Sequence, residues 1–151
     1  MIKIITVGSI KEDYLKDAIT EYKKRISKDT NLEIIEVKDE GIVEPAKAII
    51  KEEEKIEKHL SSKDYIITLE IEGKEITSEE FATKLDKIQI ENPNIVFIIG
   101  GSYGLSNNLK NKANFHLSFS KMTFPHQLFR VILLEQIYRA FKINNNESYH
   151  K

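Results

Sequence analysis

Short, nearly all-apolar runs alternate along the chain with longer stretches of helical spacing. Residues 2–7 form an apolar run that Gly8 ends, the pattern of a strand buried on both faces. Across 12–26, Tyr14, Leu15, Ala18, Ile19, Tyr22 and Ile26 recur at helical intervals, with Lys and Glu on the other side. Residues 32–37 predict a second strand, broken by Asp39-Glu40-Gly41. Pro45, tolerated in a first helical turn, opens a charged helix to about residue 60 with Ala46, Ile49, Ile50 and Ile56 as its apolar side. A third strand is expected over 65–71, closed by Glu72-Gly73, and a helix follows through Phe81, Leu85 and Ile88, capped by Thr77 or Ser78. Residues 95–99 run without a polar break into Gly100-Gly101-Ser102-Tyr103-Gly104. A short helix over 106–112, a fifth strand near 115–119 and a last helix over 126–143 complete the series. Alternation of this kind predicts an α/β fold with a largely parallel sheet covered on both faces.

Length changes the picture little: 151 residues suit one compact domain, so 1–151 is read as a single unit. The absence of cysteine excludes disulfides and thiolate chemistry and fits a reducing compartment. No apolar run approaches the ~20 residues of a membrane span, and the first residues turn polar too soon for a signal peptide. A protein working in the cytoplasm is expected.

Charge matters more. The net charge is −1, yet residues 1–105 carry 16 basic and 22 acidic side chains, and residues 106–151 carry 7 basic and 2 acidic ones. No Asp or Glu occurs between Glu91 and Glu135. A gap of that kind favours an anionic partner such as a phosphate, nucleotide or RNA; it equally fits buried strands and a buried helix, where carboxylates are scarce.

Ligands of open parallel sheets bind beyond the carboxyl ends of the strands. Gly73, Gly100, Gly101 and Gly104 lie at such ends, where glycine admits close backbone approach and also serves ordinary turns. Val7-Gly8-Ser9-Ile10 is not a dinucleotide-binding turn, and Gly73-Lys74-Glu75 lacks both the upstream glycine and the hydroxyl of a P-loop. The four histidines, His59, His116, His126 and His150, are scattered, so no metal site is expected. Residues 117–130 are the most unusual stretch: three hydroxyls, Lys121, the aromatics Phe119 and Phe124, and Pro125 lie between a strand and an apolar helix. The backbone of such a loop needs partners, supplied either by the chain folding back or by a ligand. His126 and Arg130, four apart, are placed to line one cleft, or to serve as a cap and an ion-pair partner. The last helix is apolar on most sides, from Leu128 to Phe141, which predicts a second subunit against it or full burial within the domain. Tyr149-His150-Lys151 combines a donor, an imidazole and a cation in what is by default a frayed end.

Three motifs together, residues 68–73 (Thr-Leu-Glu-Ile-Glu-Gly), 98–105 (Ile-Ile-Gly-Gly-Ser-Tyr-Gly-Leu) and 117–126 (Leu-Ser-Phe-Ser-Lys-Met-Thr-Phe-Pro-His), give the chain its resemblance to a known family. Over its whole length it resembles the RlmH family of ribosomal large-subunit pseudouridine methyltransferases, in the SPOUT (α/β-knot) superfamily. The resemblance implies a C-terminal trefoil knot built by strands four and five and the last helix, an exception to unknotted folding. It implies S-adenosyl-L-methionine held bent by Leu69, Gly100 and the run Phe119, Ser120, Lys121, Met122, Thr123 and Phe124. It implies a homodimer through the last helix, with Tyr149, His150 and Lys151 of one subunit at the cofactor site of the other. The implied reaction is metal-free methyl transfer to N3 of a pseudouridine in helix 69 of 23S rRNA, on the assembled 70S ribosome. Candidates for handling the N3 proton are His150 and Lys151, with Tyr149 beside them and His126 after them. The basic C-terminal part is expected to contact phosphates. Rival readings are a non-catalytic RNA-binding assembly factor on the same scaffold and a SPOUT enzyme acting on tRNA.

Overall fold

A computed structural model describes residues 1–41 and 44–151. Five parallel strands, β1 (Ile2–Val7), β2 (Leu32–Val37), β3 (Asp64–Glu75), β4 (Asn94–Ile99) and β5 (Phe115–Ser118), form one sheet in the order β2-β1-β4-β3-β5. Five helices join them: α1 (Asp13–Ile26), α2 (Pro45–Glu57), α3 (Ser78–Glu91), α4 (Asn107–Lys112) and α5 (His126–Asn144). Strand alternation sorts the core into two layers. Ile2 and Ile4 of β1 and Ile95, Phe97 and Ile99 of β4 pack with Leu85 of α3 and Leu133, Leu134 and Ile137 of α5. Ile5 and Val7 of β1 and Val96 and Ile98 of β4 face the other way, toward Ile56 of α2 and Leu109 of α4. Connections that step toward the β2 edge use the α1/α3 face, and those that step toward β5 use the α2/α4 face, as a uniform crossover hand requires.

The elements follow the sequence pattern closely, with instructive exceptions. Of the two expected caps of α3, Thr77 serves, in a reciprocal capping box with Glu80. Helix α2 stops at Glu57, short of residue 60. Strand β3 does not close at Glu72-Gly73; it parts from β5 after Leu69 and rejoins it at Lys74, with Leu117 registered against both. Gly73 permits this, since a Cβ there would lie 2.8 Å from the Leu117 carbonyl carbon. From β5 the chain continues into α5, which packs on both α1 and α3.

Arg130 of α5 is among the most buried side chains of the molecule, 2% exposed. Its guanidinium donates to Glu36 Oε2 at 2.5 Å, Thr6 Oγ1 at 3.1 Å and the Gly8 carbonyl at 3.2 Å. It therefore ties the start of α5 to the carboxyl ends of β1 and β2 rather than lining a cleft beside His126.

Candidate active site

The carboxyl ends of β3, β4 and β5 enclose a cleft of about 310 Å³ with the first turn of α5. One wall is the turn after β4. The Gly104 amide donates to the Gly101 carbonyl at 3.0 Å and closes it. Gly104 has φ +79°, in the left-handed region that favours glycine. A Cβ on Gly100 would stand 2.9 Å from the Gly104 carbonyl carbon, so the turn packs backbone on backbone.

The opposite wall is the loop from β5 to α5. Ser118 Oγ donates to the Ser120 carbonyl at 3.1 Å, and the Met122 amide donates to Ser120 Oγ at 3.0 Å. Phe119 and Phe124 both pack on Phe129 of α5, with ring centroids 5.1 and 6.0 Å away. These contacts hold the loop in shape and use one of its backbone donors, the Met122 amide. Among the described residues, the amides of Ser120, Lys121, Thr123 and Phe124 have no partner within the protein. Folding back on itself thus supplies a partner, among the amides of 120–124, for Met122 alone.

Leu69, Gly100, Phe119, Ser120, Met122, Thr123 and Phe124 all line the cleft, as does His126 at the start of α5. Lys121 is exposed and lies outside the lining. Sequence reasoning missed Glu70, Tyr103 and Lys110, which also line it. Glu70 Oε2 accepts from Thr68 Oγ1 at 2.6 Å and contacts His116 Nδ1, and the Lys110 ammonium lies 3.7 Å from Oε1. The carboxylate-free stretch 92–134 therefore does not make a carboxylate-free cleft, because β3 contributes Glu70 and Glu72. Only the β3–β5 register brings Glu70 and His116 together, and a single sequence carries no signal of it.

Glu52 of α2, 3% exposed, lies behind the glycine turn and accepts from the Glu40 amide at 3.0 Å. Burial, reinforced by Asp39, raises its carboxyl above the usual range. A raised folded pKa means that its stabilising contribution is present at low pH and lost as pH rises through that value. Glu52→Gln keeps the acceptor, so its melting temperature is expected to match the wild type at pH 4 and exceed it at pH 8, measured by circular dichroism.

Tyr149, His150 and Lys151 are not brought to the cleft of their own chain. Tyr149 packs edge-on against Tyr138 at 4.9 Å, and its hydroxyl donates to Glu135 Oε1 at 3.1 Å. His150 stands between Arg139 Nη1 at 3.0 Å and Glu79 Oε1 at 2.7 Å. The hydrogen bond to His150 holds the Glu79 carboxyl below its usual range, and burial raises the Tyr149 phenol. Of the seven basic residues after 105, Lys110, Lys112, Arg130, Arg139 and Lys142 pair with Glu70, Glu57, Glu36, Glu135 and Glu147. Among the described residues, Lys121 and Lys151 are the ones outside these pairs, which narrows the expected phosphate-binding surface. No three His, Asp or Glu residues converge on a possible metal site among the described residues.

A parallel sheet with a glycine turn and a loop of unpaired amides around a cleft at one end defines a protein of the α/β class, and relatives sharpen that class. A family model described as "Predicted SPOUT methyltransferase" matches residues 1–150. A Methanococcus maripaludis protein is 58% identical over 157 residues, covering 99% of both chains. The "Ribosomal RNA large subunit methyltransferase H" proteins of Natranaerobius thermophilus and Clostridium botulinum are 52% identical (98% of each chain) and 54% identical (99% of each chain). A solved structure, "a probable methylase family protein from Haemophilus influenzae Rd KW20", shares the fold at TM-score 0.58 and 17% identity, over 99% of this chain and 70% of that one. The chain belongs to the SPOUT methyltransferases and, within them, to the family of ribosomal RNA large subunit methyltransferase H.

Proposed function

We propose that the protein is an S-adenosylmethionine-dependent methyltransferase that methylates N3 of a pseudouridine in helix 69 of 23S rRNA on the assembled 70S ribosome. The observation that carries this reading is the cleft between the Gly100–Gly104 turn and the 120–124 amides that lack a partner in the protein. Backbone donors of this kind suit the heteroatoms of an adenosyl and amino-acid ligand, and the glycines let the ligand approach the main chain. Leu69, Gly100 and residues 119–124 would hold the cofactor, with Lys121 contributing through its backbone. When bound, S-adenosylmethionine supplies a methyl group on a sulfonium, which leaves as a neutral thioether.

What remains for the protein is orientation and the proton of the N3 imide. Holding nitrogen and methyl about 3–3.5 Å apart supplies much of the acceleration. Loss of the imide proton needs a nearby base or a cation that stabilises the anion. In this reading Tyr149, His150 and Lys151 do that work in the cleft of a partner subunit, and His126 stands at the cleft's own edge. The homodimer forms through the face of α5 that its own domain leaves uncovered, where Leu128 is 41% exposed and Val131 and Ile132 are half-buried. The trefoil knot belongs to the same reading. It is supported by β5 pairing on both sides of the β3 break before the chain enters α5. The substrate places the protein in the cytoplasm.

Calorimetry with S-adenosylmethionine should show binding, and 70S ribosomes lacking the modification should gain labelled methyl on one pseudouridine. Binding without transfer makes the protein an assembly factor, and transfer to bulk tRNA instead of ribosomes makes it a tRNA enzyme. Light scattering at micromolar concentration should give a dimer, and a monomer would remove the shared site.

A further inference from the structure

The last turn of the chain is not frayed. The Glu147 amide donates to the Lys142 carbonyl at 2.9 Å, and the Lys142 ammonium pairs with the Glu147 carboxylate at 2.9 Å. Beyond this, Glu135 and Arg139, one helical turn apart on α5, form a two-pronged pair, with Arg139 Nε and Nη2 at 3.0 and 2.6 Å from Glu135 Oε1. Tyr149 covers that pair, its ring 4.8 Å from the Arg139 guanidinium carbon. Arg139 Nη1, the arm left over, faces His150 Nδ1.

That contact determines the chemical form of the ring. A guanidinium stays protonated in proteins and has donors only, so the nitrogen facing it must carry the lone pair. The other nitrogen, Nε2, faces the Glu79 carboxylate, an acceptor, and must carry the hydrogen. The tautomer is thus assigned from the hydrogen-bond partners. We infer that Arg139 and Glu79 are positioning residues for methyl transfer: together they orient the His150 ring, with its hydrogen on Nε2 and its lone pair on Nδ1, and seat the C-terminal tail on α5 and the start of α3. In that seat the Nδ1 lone pair is taken by Arg139, so the imide proton falls to Lys151 and Tyr149 of the tail and not to His150. Its remaining function while seated is to fix the direction in which Lys151 leaves the chain. The inference rests on the reading of the tail as a working part of the transfer site.

Two measurements test it on the intact protein. Nitrogen-15 NMR of the imidazoles, with the His150 signals identified from His150→Gln, should show an unprotonated Nδ1 and a protonated Nε2 at neutral pH. A proton on Nδ1, or rapid averaging over both nitrogens, would overturn the inference whether or not the protein methylates ribosomes. Arg139→Ala and Glu79→Ala should each lower kcat by about 100-fold, the scale on which misplacement of a reacting group acts. KM and affinity for S-adenosylmethionine should not change. Glu79→Gln keeps an acceptor for Nε2–H and should restore most of kcat. Glu79 is exposed, so its variants report even if Arg139→Ala misfolds. Wild-type kcat in Glu79→Ala would overturn the positioning role. Failure of the wild type to bind cofactor or transfer methyl would instead strike the function proposed above, and the NMR result would stand apart from it.

Discussion

Deleting Ser148 to Lys151 is expected to abolish methyl transfer to ribosomes while leaving fold, dimer and S-adenosylmethionine affinity in place. The separation follows from where these residues sit. Their contacts are with Glu79, Glu135, Tyr138 and Arg139, on the outer side of α3 and α5. The cleft is lined from 69–72, 99–105, Lys110 and 117–129, with none of the tail among its walls. The core of α5, Leu133, Leu134, Ile137 and Ala140, is buried in a cluster with β1, β4 and α3 that includes no residue of the tail. Loss of the Tyr149–Tyr138 pair and the hydrogen bond to Glu135 costs about 1–2 kcal/mol, a shift of a few degrees in melting temperature for a chain of this length. Transfer, by contrast, loses every candidate for the imide proton except His126. Single-turnover assays with labelled cofactor, alongside calorimetry and scanning of thermal stability, measure both sides of the prediction. Full activity in the truncated protein would remove the tail from the mechanism and leave His126 as the candidate.

The framework was legible because parallel strands covered on both faces read as continuous apolar runs, and β1 and β4 are such runs. Boundaries failed where a residue has two possible meanings. Glu72-Gly73 looks like the end of a strand, yet at position 73 the missing side chain lets β3 pass close over β5 and continue. Arg130 reads from its spacing to His126 either as a cleft residue or as an ion-pair partner, and the structure takes the second, burying it against Glu36 and Thr6. The spacing i, i+4 places two residues on one side of a helix and says nothing of which one the sheet covers.

The site was legible in part. Glycines at strand ends and the hydroxyl-rich loop are local features, and they line the cleft as expected. The cluster of Glu70, Thr68, His116 and Lys110 depends on the pairing of two strands 46 residues apart, which no local pattern encodes. The positive C-terminal part illustrates the same limit. Counting charges along the chain shows an excess of cations, and folding spends five of them on carboxylates contributed mostly by earlier elements. Sequence gives the supply of charge, and tertiary structure decides how much of it is left for RNA.

Gly100→Val should sharply weaken binding of S-adenosylmethionine with the fold retained. At this position the added carbon meets backbone, the Gly104 carbonyl carbon and oxygen at 2.9 and 3.0 Å, so no side-chain rotation relieves it. The turn must open by shifting Gly104 and breaking the 3.0 Å bond from its amide to the Gly101 carbonyl. Opening moves one wall of the cleft relative to the free amides of 120–124, and a ligand bridging the two loses one set of partners. An affinity loss of about 100-fold, equivalent to ~3 kcal/mol, is the expected scale. β4 itself is held from residue 94 to 99 by β1 and β3 on either side, so the circular dichroism spectrum should be unchanged. Lys87→Val, at an exposed position of α3 outside the cleft, provides the control and should bind as the wild type does. Unaltered calorimetric affinity in Gly100→Val would show that the ligand does not rest on this turn, and the cleft would have to be reassigned.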